Sequence, residues 1–148
     1  MRIVWGLVVL TLVAAPVQAQ ERVVVRVPGS LEELPFSSAI RVGALLFLSG
    51  QIGTVPGSRD LVPGGIEAET RQTMENISAV LEHAGSSMAR VVKCTVFLRD
   101  LADYPTMNRV YAGFFPTDPP ARSTLGASGL ALGAAVEIEC IALAGDIR

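Results

Sequence analysis

Arg122 directly follows Pro119-Pro120-Ala121, a stiff approach that can aim a side chain into a cleft. A guanidinium fixed in one orientation grips a carboxylate through two parallel hydrogen bonds. The plainer reading is a solvated arginine at a strand end. Glu137 and Glu139 stand within the apolar segment Val136-Glu137-Ile138-Glu139-Cys140-Ile141. Carboxylates in such a run must meet water, a cation or an interface. Arg122 is one candidate counter-ion, and a solvated outer sheet face is the alternative.

Other chemistries find little support. His83 is the only histidine, and Cys94 and Cys140 lie in separate apolar segments without metal-ligand spacing, so no metal site is expected. The two cysteines read as buried free thiols, since a bridge requires their strands to be adjacent. Ser49-Gly50-Gln51 is not a Gly-x-Ser-x-Gly elbow, which leaves no serine triad. Asn76-Ile77-Ser78 matches the glycosylation triplet but falls inside an expected helix, and no role is assigned to it. The formal net charge is −2 and no basic run occurs, so nothing points to nucleic acid.

Periodicity sets out the elements that must carry these residues. Val23 to Val27 is a β-branched run expected at a sheet edge. Ala39–Val42 and Leu45–Ser49 flank Gly43-Ala44 as a hairpin. Gly53 to Gly65 reads as a loop and lacks the Gly-Lys-Ser/Thr ending of a phosphate-binding loop. Met74, Ile77, Leu81 and Ala84 recur at helical steps, which predicts a helix from about Ile66 to Ala84 stopped by Gly85. Val91 to Leu98 follows as a strand. Pro105 opens a second helix whose core face is Tyr104, Met107, Val110, Tyr111 and Phe114. Arg122–Ser128 and Ala134–Ala144 are the closing strands. The order β-β-β-α-β-α-β-β predicts an α+β fold, one mixed sheet with two helices packed on one face. A partner subunit would cover the other face, which carries Glu137.

The N-terminus reads as a leader. Met1-Arg2 precedes an uncharged apolar run, Ile3 to Ala14, and then Ala15-Pro16-Val17-Gln18-Ala19. That order is a signal peptide, residues 1–19, cleaved before Gln20. The run is too short for the roughly 20 residues of a membrane-spanning helix. The expectation is one domain, residues 20–148, in the periplasm or secreted, with no membrane attachment after cleavage.

Several segments in fixed order resemble the reactive intermediate deaminase family, also called the YjgF family. They are Ser49-Gly50-Gln51-Ile52, the helix Glu69 to Ile77, Val92 to Asp100, Met107-Asn108-Arg109-Val110-Tyr111, Pro120-Ala121-Arg122-Ser123 and Val136-Glu137-Ile138-Glu139. The resemblance implies a chorismate-mutase-like α+β fold, a homotrimer with ligand clefts between subunits, and hydrolysis of 2-imino acids or enamines to 2-keto acids and ammonia without a cofactor. It assigns carboxylate binding to Arg122 and water positioning to Glu137, with Phe36, Gly50, Asn108, Ser123 and Thr124 lining the substrate pocket. The partner implied is thus a small 2-imino or 2-keto acid. Two positions depart from the family pattern, which has tyrosine where Phe36 stands and cysteine where Thr124 stands. These departures support an alternative, a non-catalytic member that binds small carboxylates or acts as a holdase.

Overall fold

A computed structural model describes residues 21–28 and 34–145; the expected signal peptide lies outside the described residues. Seven strands form one sheet: β1 (Arg22–Val25), β2 (Ala39–Val42), β3 (Leu45–Leu48), β4 (Gln51–Ile52), β5 (Val91–Leu98), β6 (Ala121–Gly126) and β7 (Val136–Leu143). Two α-helices, α1 (Gly65–His83) and α2 (Tyr104–Ala112), complete the α+β domain. The strand order is β1-β2-β3-β7-β5-β6, with β4 also paired to β7. All pairings are antiparallel except β5 with β6, which are joined through α2.

The hydrophobic stripe of α1 buries Met74, Ile77 and Leu81 completely, each stabilising the fold by roughly 1.5–3 kcal/mol. They meet Val96, Leu98, Val136 and Ile138 from the sheet in one core. Gly85 ends α1 in the left-handed region, at φ 72°. Its N–H bonds to Glu82 O and the Ser86 N–H to Leu81 O, a Schellman motif that closes the last turn.

Three local features differ from the sequence expectation. The stretch Gly53 to Gly65 is not all loop: Thr54 bridges Leu61, and Val55-Pro56-Gly57-Ser58 makes a turn with Gly57 at φ 75°. Proline followed by a left-handed glycine is the type II pattern. The second feature is β4, a pair of residues too short to show any period, whose Gln51 and Ile52 pair with Ile138 and Glu137. Thirdly, Cys94 and Cys140 are directly opposed across β5 and β7, Cα atoms 4.1 Å apart, and form a disulfide. The free-thiol expectation is therefore corrected: strand pairing, invisible in sequence spacing, brings the two together.

Asn76 has a structural task. Its side-chain amide donates to Ile52 O at 3.1 Å and Thr54 O at 3.0 Å, and its Oδ1 accepts from Gln72. The glycosylation triplet is thus spent on fastening β4 and the small hairpin to α1. Glu69, only 7% exposed, does a similar job by accepting the Ala135 N–H at 2.7 Å at the entry to β7.

Candidate functional site

Strand alternation decides where each candidate side chain points. Val136, Ile138 and Cys140 of β7 are buried toward the helices, so Glu137 and Glu139 project from the opposite face. On β6, Arg122 is in register with the buried Cys94. Arg122 accordingly turns toward the helices, where α2 receives it.

The Arg122 wall is packed. Nη2 donates to Asn108 Oδ1 at 2.7 Å and to the Tyr104 hydroxyl at 3.0 Å. The guanidinium lies over the Tyr111 ring, 4.6 Å from its centroid, and 5.6 Å from that of Tyr104, cation–π contacts that hold it flat. Burial pushes the Tyr111 phenol up to about 12, with Arg122 pulling weakly the other way. Tyr111 therefore stays neutral at any physiological pH. Nε and Nη1 of Arg122 make no hydrogen bond among the described residues, which leaves N–H donors on either side of the engaged Nη2 for an anion. Thr124, on the same side of β6, has a buried hydroxyl without a partner among the described residues.

The Glu137 wall is open. Glu137 lines a cavity of about 780 Å3 together with Phe36, Gly50, Ile52, Arg26 and Arg59. Gly50 is required there: a Cβ at this position would lie 2.9 Å from the Glu137 Cδ and closer still to its Oε1. The missing side chain is what admits the carboxylate. Burial, and secondarily the charge of Glu139, holds the Glu137 carboxyl above the usual carboxylate range. Phe36 is 52% exposed on the cavity wall.

The site residues thus fall into two groups. Phe36, Gly50 and Glu137 share the cavity. Asn108 and Arg122 are joined on the helix side, with Thr124 on the same side of β6. Ser123 lies on the other side of β6 and accepts a hydrogen bond from Lys93 Nζ at 3.1 Å. Arg122 is not the counter-ion of either glutamate within one chain, because the sheet separates them. The cations that share a cavity with Glu137 are Arg26 and Arg59, which the sequence reading overlooked. The only local signal for Arg59 was its place beside Pro56-Gly57 in a turn.

No group of three or more His, Cys, Asp or Glu among the described residues could hold a metal ion. No helix among them is long and apolar enough to cross a membrane.

A family model described as Endoribonuclease L-PSP matches residues 30–144. The chain is 44% identical over 108 residues to Reactive Intermediate Deaminase A, chloroplastic, of Arabidopsis thaliana, spanning 73% of this chain and 58% of that protein. It is 37% identical over 122 residues to the 2-iminobutanoate/2-iminopropanoate deaminase of Homo sapiens, covering 82% and 88% of the two chains. The crystal structure of the E. coli YjgF gene product superimposes with a TM-score of 0.74 at 31% identity, over 81% of this chain and 97% of that one. With this fold and these matches, the chain belongs to the reactive intermediate deaminase, or YjgF, family.

Proposed function

We propose that the protein hydrolyses 2-imino acids, or their enamine tautomers, to 2-keto acids and ammonia, in clefts shared between copies of the chain. The observation that carries this reading is the guanidinium of Arg122, held flat by Asn108 and the Tyr111 ring with the N–H groups of Nε and Nη1 left to donate. A 2-imino acid offers a carboxylate to those donors and an electron-poor carbon to water. Glu137 accepts a proton from the water as the C–O bond forms, giving a tetrahedral carbinolamine. That proton passes to nitrogen, and the carbinolamine hydroxyl then gives up its own proton through Glu137 to the same nitrogen, so that ammonia leaves as the C–N bond breaks and the C=O bond forms. Raising the Glu137 pKa brings it nearer the working pH, which suits a group that must both take and give a proton. The reaction requires no cofactor.

Because Arg122 and Glu137 leave opposite faces of one sheet, a cleft holding both takes its walls from two copies. One face of the chain meeting a different face of the next is a heterologous contact, which forms a ring when the rotation between copies closes. A homotrimer is that ring. Phe47, Leu125 and Leu143, each more than 40% exposed, give the open sheet face apolar area that a second copy would cover. Export follows from the leader-like residues 1–19, and the Cys94–Cys140 bridge suits an oxidising compartment. N-terminal sequencing of the exported protein is expected to begin at Gln20; an intact Met1 would oppose it.

The test supplies imines in place with an amino-acid oxidase and reports the surviving imine as its semicarbazone. Wild type lowers semicarbazone yield, whereas Arg122→Ala and Glu137→Gln do not. Equal, slow imine loss in all samples sinks the enzyme. A second reading, carboxylate binding without turnover, draws on Phe36, which keeps the ring of the family tyrosine without its hydroxyl. It predicts that calorimetry detects 2-keto acid binding while semicarbazone yield stays at the enzyme-free level.

A further inference from the structure

The Glu137 cavity holds more positive charge than the deaminase reading uses. Its charged residues, among those described, are Arg26, Arg59 and Glu137. Neither arginine has an ion pair or a side-chain hydrogen bond among the described residues, and the acid next to Arg59 in sequence, Asp60, is engaged by the Ser58 hydroxyl at 2.8 Å. Among the described residues, two unpaired guanidiniums against one carboxylate make the cavity a site for an anion.

The frame that carries them is built rather than loose. Arg59 sits on the hairpin closed by Thr54 and Leu61, and Asn76 ties Thr54 and Ile52 to α1. Arg26 leaves the end of β1, and the next residue, Val27, donates its N–H to Ser38 Oγ at 3.4 Å. The cavity is also lined by apolar Phe36, Ile52 and Leu132 and by polar Ser38, Gln51 and Thr54. In one chain, before a second copy adds its wall, the cavity is about 780 Å3, within the roughly 300–1,000 Å3 usual for ligand clefts.

We infer that Arg59, with Arg26, is a second anion clamp in the Glu137 cavity, selecting 2-imino acids whose side chain ends in its own carboxylate. This rests on the deaminase reading. In that reading every substrate's 1-carboxylate is held by Arg122 of a neighbouring copy. The side chain then extends into the cavity and delivers its terminal carboxylate to Arg59 and Arg26. A neutral side chain would leave both guanidiniums unsatisfied, which is a selection against it as much as for the acid.

The experiment compares imines made from glutamate and aspartate with those from 2-aminobutyrate and leucine. In parallel, calorimetry measures binding of 2-oxoglutarate and 2-oxobutanoate. Wild type is expected to favour the dicarboxylates at least about tenfold in kcat/KM and in affinity. Arg59→Ala and Arg26→Ala each lower that ratio, and the double variant brings it close to one. Arg122→Ala instead weakens both substrate classes alike. Both clamp positions are exposed, and matching thermal melts confirm that the variants fold. A wild-type ratio near one, or a ratio the double variant leaves intact, overturns the clamp while leaving the deaminase standing. Equal losses on both classes in Arg59→Ala also overturn it, by making Arg59 a clamp for the 1-carboxylate. Failure of wild type to hydrolyse any imine overturns the deaminase reading and the clamp with it.

Discussion

The Arg122 wall and the Glu137 wall solve opposite problems. Arg122 is spread over an aromatic ring and tied at one nitrogen, so its charge is stabilised and its orientation set before any ligand arrives. Glu137 is pressed into a gap left by Gly50, beside a second carboxylate, where ionisation is made harder. A group meant to grip a permanent anion gains from packing; a group meant to exchange protons gains from partial desolvation. The sheet puts these walls back to back, so on the proposed reading one chain, taken alone, supplies half of each site.

The contrast can be broken at several points, and the largest effect is expected at the proton-handling group. Glu137→Gln removes the base and is expected to lower kcat about 100-fold or more, with KM little changed, whereas Arg122→Ala raises KM as well. Steady-state kinetics that showed the same KM rise in both variants would erase the division of labour. Gly50→Ala should act almost as strongly, because the new methyl takes the place of the Glu137 carboxylate. A loss of about 10- to 100-fold without a matching fall in Tm would identify a positioning effect; full activity would mean that Glu137 needs no such gap.

The disulfide lies on the same rung as Arg122, through Cys94, and on the same strand as Glu137, through Cys140. With the cysteines separated by 46 positions in sequence, removal of the bridge in a Cys94→Ala/Cys140→Ala variant is expected to cost about 4 kcal/mol of stability by loop-closure entropy. Denaturant unfolding measures this, and an unchanged midpoint would show that the bridge is absent in solution.

The smallest effect is on pH dependence. Glu137 must be ionised to accept a proton, and its pKa is raised, so activity is expected to fall with decreasing pH already above the ordinary carboxylate range. Glu139→Gln removes the repulsive neighbour and should move this acid limb to lower pH. A limb that does not move would leave burial as the sole cause.

Much of the framework was legible in the sequence. The strand Val91–Leu98 has the bounds its β-branched residues suggest, and the stripe Met74, Ile77 and Leu81 places α1 within a residue at either end. The alternation in β7 correctly set Glu137 apart from the core. What could not be read was pairing between distant strands. Arg122 faces α2 only because β6 runs parallel to β5 with Arg122 beside Cys94, and no local pattern encodes that register. The disulfide escaped notice for the same reason. Arg59 escaped because its approach to the Glu137 cavity depends on Asn76, from another element, holding the hairpin in place.

The central claim is that one site takes Arg122 from one copy and Glu137 from the next, and mixing subunits tests it most directly. Arg122→Ala and Glu137→Gln proteins, each inactive alone, are unfolded together, refolded as a mixture and assayed for imine hydrolysis. The account predicts recovered activity, with roughly a quarter of the sites intact in a random ring. A mixture as inactive as its two components would contradict it.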